Sequence, residues 1–242
     1  MIKTINLTKK YGDFTAVNNL CLEIYKGELF SLLGINGAGK TTTIKMLTTI
    51  TTPTSGEIYF NGENVNKNPE KIKSKMNLSP QETAIAPNLS VKENLTFIAG
   101  VYQILNKAQK VNELIELFNL KEFENKKAST LSGGLKRRLS IAMALINEPE
   151  ILFLDEPTLG LDVIARRELW NIIKKLKGKT TIILTTHYME EAESLSDRVG
   201  IMAKGEIKFL GKVEEAISLS NEKDFENAFI KLATEGELWK EL

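Results

Sequence analysis

A glycine-rich segment that ends in lysine and threonine, GINGAGKTT (residues 34–42), carries the most specific chemistry in this sequence. It fits the pattern G-x-x-x-x-G-K-[ST], follows the apolar run LFSLL and precedes a helical stretch, which is the context that the pattern requires. Its glycines let backbone N–H groups surround phosphates, Lys40 can bridge the β- and γ-phosphates of a nucleotide, and Thr41 can bind Mg²⁺. The segment therefore predicts a nucleotide-phosphate site.

Two adjacent carboxylates follow a second apolar run, in ILFLDEP. Asp155 would end a buried strand, from which it can reach a metal ion bound by Thr41. Glu156 lies one residue further and could accept a proton from an attacking water. Asp-Glu-Pro is also an ordinary way to leave a strand, so it is the upstream phosphate segment that favours the catalytic interpretation.

Three further side chains lie at positions that could serve the same site. The single histidine, His187, directly follows the run TIILTT and would share a sheet edge with the phosphate segment, where it can contact a γ-phosphate. Tyr11 could stack on adenine, and an ordinary strand aromatic is the alternative. Gln81 lies between the sheet core and a helical block, where a glutamine by itself is expected to be a surface residue.

A second anion site is indicated by LSGGLKRR, residues 131–138. Ser132 and two glycines open a predicted helix whose first turn would carry Lys136, Arg137 and Arg138. A hydroxyl, free backbone N–H groups and the positive end of a helix dipole together favour an anion. One chain thus has two separate phosphate-binding segments, and this duplication needs an explanation.

The elements that position these residues are those of an α/β fold, because apolar runs alternate with helical patterns, as in a mostly parallel sheet. Asn61-Gly62 predicts a tight hairpin, and a capping box of Ser90 and Glu93 opens a helix whose apolar residues continue to Leu105. The apolar spacing of DFENAFIKL predicts a helix that packs on its own domain, with a contact to a partner as the alternative. We predict one domain, with a core at 1–81 and 148–215, a helical subdomain at 82–147 and a C-terminal helical tail at 216–242.

Composition limits the class of protein. The chain has 242 residues and a net charge of +1, so no overall field attracts nucleic acid or a membrane. Its amino terminus lacks an apolar signal segment, and no run of about 18 residues stays apolar. The single cysteine, Cys21, excludes an internal disulfide and is expected to be a small buried residue. These features predict a soluble, cytoplasmic protein.

In this order and with these separations, GINGAGKTT, Gln81, LSGGLKRR, LFLDEPTLGLD and LTTHYMEEAE resemble the ATP-binding cassette (ABC) ATPases. LSGG is the signature of that family. The resemblance runs from Tyr11 to the segment GEIKFLG, and it is strongest to nucleotide-binding subunits of drug, sodium or ABC-2 type exporters. It implies a phosphate-loop ATPase core with a mostly parallel sheet, an antiparallel β subdomain and an inserted helical subdomain.

In these ATPases two domains dock head to tail, and each ATP lies between the phosphate loop of one and the signature of the other. The resemblance implies that residues 132–134 bind the nucleotide held by the partner and that Asp162 lines the dimer interface. The nucleotide-binding positions that it implies are Tyr11, Asn36, Gly37, Ala38, Gly39, Lys40, Thr41, Thr42, Ser132, Gly133, Gly134 and Asp162.

The resemblance also implies roles in catalysis. Glu156 would be the general base, with Lys40 and His187 at the γ-phosphate. Gln81 would bind Mg²⁺ or position water and report on a membrane partner. The metal ligands that it implies are Thr41, Gln81 and Asp155.

The resemblance implies an ATPase that uses ATP and Mg²⁺ and pairs with a second copy of itself or a related ATPase subunit. It also implies that the chain powers a separate transmembrane permease, as an exporter, from the inner face of the cell membrane. No nucleic-acid partner is expected. The alternative is a soluble ABC ATPase acting on nucleic acid or the ribosome. Such proteins typically carry two cassettes, a long coiled-coil insertion or zinc-binding cysteines, and this sequence shows none of them.

Overall fold

Ten strands and nine α-helices are present in the computed structural model, which describes residues 2–65, 67 and 69–234. The strands are β1 (Ile2–Tyr11), β2 (Phe14–Ile24), β3 (Leu29–Leu33), β4 (Ser55–Phe60), β5 (Glu63–Asn64), β6 (Met76–Ser79), β7 (Ile151–Asp155), β8 (Thr181–Thr186), β9 (Arg198–Ala203) and β10 (Glu206–Gly211). The helices are α1 (Lys40–Leu47), α2 (Pro69–Lys73), α3 (Val91–Val101), α4 (Lys107–Leu117), α5 (Gly133–Ala144), α6 (Val163–Leu176), α7 (Met189–Leu195), α8 (Val213–Ser220) and α9 (Phe225–Thr234).

The strands form two sheets. The larger has the order β10-β9-β3-β8-β7-β6, and its pairs are parallel except for β10 with β9. The smaller is antiparallel, with the order β2-β1-β4-β5. Every residue of β3, β7 and β8 is buried, as expected for central parallel strands that are covered on both faces. The predicted α/β fold is confirmed.

The face of β2 on which Cys21 lies was wrongly predicted. Leu20 and Leu22 are buried, and the period-two alternation of a strand puts Cys21 between them on the exposed face. There its sulfur lies 3.3 Å from both the backbone nitrogen and the side-chain oxygen of Asn6. Cys21 is therefore a surface thiol that pairs with a neighbouring strand.

Two local sequence signals are confirmed, and one is wrong. Asn61 and Gly62 both have positive φ and join β4 to β5, and Ser90 and Glu93 form the predicted reciprocal capping box. However, α3 ends at Val101, so Leu105 does not continue its apolar face and is 99% exposed. Gln103 has a φ of 54°, and a left-handed residue just past a helix reverses the chain.

Helices α3, α4 and α5 lie within the range predicted for the helical subdomain, and they pack with α6, β7 and β8 in one apolar core. The domain boundaries stay a prediction. The predicted tail begins inside α8, which starts at Val213, and its residues 235–242 lie outside the described residues. In α9 the predicted apolar face packs on its own domain, through Phe225, Ala228, Phe229 and Leu232. Within the described ranges, no helix has both the length and the apolar character to cross a bilayer.

Candidate functional site

The phosphate loop connects the carboxyl end of β3 to the start of α1. Gly39 has a φ of 105°, and a Cβ there would lie 2.5 Å from the backbone oxygen of Ala16. At Gly34 a Cβ would lie 2.5 Å from the backbone oxygen of Met202, so the loop is pressed closely against its surroundings. No side chain caps α1, which leaves the N–H groups of its first turn for an anion.

Asp155, at the end of β7, is hydrogen-bonded both to the neighbouring strand β8 and to the helix α1. Its Oδ1 accepts hydrogen bonds from Thr185 Oγ1 at 2.5 Å and from Thr41 Oγ1 at 3.4 Å. The hydroxyl of Thr185 also accepts a hydrogen bond from the backbone nitrogen of Glu156, at 3.1 Å. Thr185 thus orients both acidic residues, a role that the sequence analysis missed. The available signal was a threonine inside the buried run TIILTT.

Glu156 contacts the other two side chains that were predicted to act in catalysis. Its Oε1 lies 3.3 Å from Lys40 Nζ and its Oε2 lies 2.6 Å from His187 Nδ1. Lys40 also donates to the backbone oxygen of Gly34 at 2.7 Å. Glu156 has a φ of 49°, a left-handed conformation that is uncommon outside glycine and is found at strained functional sites. The predicted base, lysine and histidine therefore form one connected cluster.

A pocket of about 290 Å³ lies over this cluster. Predicted residues that line it are Asn36, Gly37, Ala38, Gly39, Lys40, Thr41, Thr42, Gln81, Glu156 and His187. The exposed side chain of Gln81 reaches this pocket although its backbone follows β6, outside the phosphate loop. The structure thus brings together four separate segments of the sequence in one concave site.

The aromatic residue that lines the pocket is Phe14, which the sequence analysis did not single out. Tyr11 is paired with Phe14 across the β1–β2 turn, and opposite residues of an antiparallel pair share a face. Tyr11 is not among the described lining residues, and Lys9 Nζ lies 5.0 Å from the centre of its ring. Both aromatic rings are largely exposed at the same hairpin end, so each is a candidate to stack on a base.

The signature segment lies outside this pocket. Ser132 is exposed and caps α5, accepting a hydrogen bond from the backbone nitrogen of Leu135 at 3.4 Å. A Cβ on Gly134 would lie 3.0 Å from the Cβ of Ala165 in α6, so the starts of α5 and α6 are adjacent. Asp162 caps α6 through two backbone N–H groups at 2.9 Å. The signature and Asp162 thus occupy one exposed surface.

The prediction that the two arginines of LSGGLKRR lie in the first turn of the helix is wrong, because α5 begins at Gly133. Arg137 and Arg138 fall in the second turn and are buried. Arg137 donates to the carbonyls of Pro80 and Gln81, and Arg138 pairs with Glu168. Neither guanidinium is available to an anion at the start of the helix, where Ser132 and the glycines remain.

Comparisons with known proteins identify the family. A sequence profile described as "ABC transporter" matches residues 17–159. The chain is 42% identical to human phospholipid-transporting ATPase ABCA3 over 87% of its own length and 13% of that protein. It is 44% identical to the Nod factor export ATP-binding protein I of Cupriavidus metallidurans, over 88% of this chain and 71% of that protein.

Solved structures agree. The ATP-binding cassette MJ0796, in a dimeric post-hydrolysis state bound to ADP and Pi, superposes with a TM-score of 0.78 at 30% identity, over 88% of this chain and 98% of that one. The fold is that of an ATP-binding cassette. The chain belongs to the ABC transporter family, and it spans only a small part of some relatives, such as ABCA3.

We expect Tyr11→Ala to weaken ATP and GTP binding together by about ten- to a hundredfold, because base–aromatic stacking contributes about 1–3 kcal/mol and reads no hydrogen-bond pattern. Phe14→Ala is measured in parallel, by titration with a fluorescent nucleotide analogue. Tyr25→Ala, which removes a similarly exposed ring outside the pocket, is the control. Unchanged affinity in Tyr11→Ala would make Tyr11 an ordinary strand residue, and a loss in Phe14→Ala alone would assign the stacking to Phe14.

Proposed function

We propose that this chain hydrolyses ATP and that it powers a separate membrane-spanning permease. The observation that carries the proposal is the contact of Glu156 with both Lys40 and His187 beside the phosphate loop. A carboxylate at this position can accept the proton of a water that attacks the γ-phosphate. Lys40 is already held at the loop by the carbonyl of Gly34, so its charge lies where phosphate oxygens would enter.

His187 has a positioning role in this chemistry. Its Nδ1 is committed to Glu156, so its other ring nitrogen is the one left for a γ-phosphate oxygen. The histidine would then fix the base and the phosphate relative to each other. Groups fixed in this way stabilise developing charge better than solvent does, because they need not reorganise during the reaction.

The residues present fit Mg²⁺, which prefers oxygen ligands. The hydroxyl of Thr41 and the carboxylate of Asp155 lie side by side, 3.4 Å apart, and the side-chain amide of Gln81 lines the same pocket. We assign these three side chains to the ion. When bound, Mg²⁺ neutralises charge on the β- and γ-phosphate oxygens.

Glu156→Gln is expected to keep ATP binding and to slow hydrolysis by about 10²–10⁴-fold, the usual contribution of a general base. The shape of the side chain stays while its proton-accepting charge is lost, so ATP should trap a stable dimer. Turnover is measured on the purified protein, with Glu190→Gln, an exposed glutamate on α7, as the control. Turnover of Glu156→Gln equal to that of the parent would remove Glu156 from this role.

The working unit that we propose is a head-to-tail dimer. Ser132 is exposed and lies outside the pocket of its own chain, so a second copy could place it over that copy's phosphate loop. Three large apolar side chains are exposed on the same parts of the chain, Ile35 in the phosphate loop and Val163 and Ile164 beside Asp162. A dimer interface would cover them. This arrangement explains why one chain has two phosphate-binding segments.

The dimer is tested by complementation. Ser132→Arg fills the second phosphate site with bulk, and Lys40→Ala removes the charge between the β- and γ-phosphates. Each variant alone should be nearly inactive, whereas a mixed dimer retains one site in which an intact Lys40 faces an intact Ser132. A tandem fusion of the two variants should therefore regain ATPase activity and ATP-dependent dimerisation.

The matched control is a fusion in which both substitutions are in the same half. Head-to-tail docking gives that protein no intact site, because each composite site then contains one defect. If Ser132 served its own chain, the outcomes would be reversed: the same-half fusion would keep one intact site and the split fusion none. Activity confined to the same-half fusion would contradict the head-to-tail dimer.

We place the permease contact at the helical block that follows Gln81. Phe97 and Val101 are exposed on α3, and Leu105 projects just beyond its end. Exposed apolar side chains in one segment of the chain are suited to a protein partner. An export role is supported by relatives such as the Nod factor export ATP-binding protein I, and through this contact the chain would lie on the inner face of the cell membrane.

Photocrosslinking tests this contact. In a Cys21→Ser background, a photoreactive maleimide is attached at Phe97→Cys or Glu82→Cys, and at Lys175→Cys as an exposed control. We expect the first two positions to crosslink to the co-purified membrane protein, because only they lie on the proposed contact. Crosslinks found at Lys175→Cys alone would contradict this docking face.

A further inference from the structure

Arg137 makes two hydrogen bonds that the function proposed above does not use. Its side chain is 5% exposed; Nη1 donates to the carbonyl of Pro80 at 2.6 Å and Nη2 donates to the carbonyl of Gln81. Both carbonyls belong to the loop that leaves β6, and Arg137 itself lies in the second turn of α5. One side chain therefore connects the signature helix to the backbone of the residue that reaches the nucleotide pocket.

This connection is made by a buried charge without an ion-pair partner in the described part of the chain. Burial lowers the pKa of Arg137, and the nearby carboxylate of Asp155 counters this effect. A buried charge is expensive unless hydrogen bonds compensate it, and here the two carbonyls supply the compensation. The planar guanidinium can hold two adjacent carbonyls at once, which the ammonium of a lysine cannot do with the same fixed geometry.

Two further hydrogen bonds hold α5 against β6. The hydroxyls of Ser140 and Ser79 lie 3.1 Å apart, and the side-chain nitrogen of Asn77 donates to the carbonyl of Ala144 at 2.6 Å. These contacts fasten the middle and the end of α5 to β6, while Arg137 fastens its second turn to the loop after β6. Arg137 is thus the side chain through which the second turn of α5 contacts that loop.

We propose that Arg137 is a positioning residue that couples the signature helix to Gln81. Ser132 caps the same helix, so a phosphate bound there shifts α5, and Arg137 carries the shift to the Gln81 loop. In the head-to-tail dimer, on which this inference rests, the nucleotide of one site thereby sets the position of Gln81 in the other. The two ATP sites would communicate through a single side chain in each protomer.

Arg138 offers a matched control. It is adjacent in sequence and similarly buried, but it pairs with Glu168 on α6 rather than with the Gln81 loop. Arg137→Gln and Arg138→Gln each remove one buried guanidinium from the same turn. General destabilisation should affect both variants, whereas loss of coupling should appear only in Arg137→Gln.

A spin label at Glu82→Cys, an exposed position next to Gln81, reports on the loop in a Cys21→Ser background. We expect Arg137→Gln to increase the mobility of the label without nucleotide and to abolish its change on addition of ATP. Arg138→Gln should match the parent in both measurements. We also expect kcat to fall about tenfold in Arg137→Gln while KM for ATP stays within about twofold, because positioning is lost and the phosphate loop is untouched.

Equal label mobility in Arg137→Gln and the parent, or equal changes in the two arginine variants, would overturn the proposal. Arg137→Lys, which keeps a cationic donor, should give intermediate mobility, and it replaces Arg137→Gln if that variant does not fold. A parent protein that hydrolyses no ATP would contradict the proposed function instead. The mobility of the label in the nucleotide-free protein would still test Arg137 in that case.

Discussion

The parallel pairing of β3, β8 and β7 is the constraint on which the site depends. It brings three strand ends to one edge of the sheet, and the groups that leave those ends are the phosphate loop, His187 and the acidic pair. The register is also specific, because Asp155 lies opposite Thr185 and accepts its hydroxyl hydrogen bond. A shift of one residue would move that hydroxyl to the other face of the sheet and separate the acidic pair from α1.

Around this edge, buried charges are stabilised by one another more than by solvent. Lys40 and Glu156 are both buried and lie in contact, and each would be costly in the interior without the other. Glu191 differs, because burial raises its pKa although Trp170 Nε1 donates a hydrogen bond to its Oε1 at 3.0 Å. The site thus combines paired charges at the pocket with a carboxyl behind it that burial favours in its neutral form.

Motif spacing predicted the phosphate loop and the acidic pair because local backbone geometry fixes them, and apolar runs predicted the central strands. The features that were wrongly predicted or missed depend on contacts with residues that are distant in sequence. The exposure of Cys21 follows from which face of β2 meets the core, and the partners of Arg137 come from a loop more than fifty residues earlier. Phe14 was missed because its place at the pocket depends on how the β1–β2 hairpin folds over the phosphate loop. No sequence period encodes such contacts.

The left-handed backbone conformation of Glu156 lowers local stability at a residue that contacts the other side chains of the site. Glycine, or to a lesser degree asparagine, adopts this conformation more easily than glutamate, for which it costs about 1–2 kcal/mol. The backbone conformation alone would therefore favour another residue here, whereas the contacts of the carboxylate with Lys40 and His187 favour glutamate. A descendant of this chain that kept nucleotide binding but lost hydrolysis would be under pressure to change here first. If Glu156 is the base, position 156 would thus distinguish cassettes that hydrolyse nucleotide from those that only bind it.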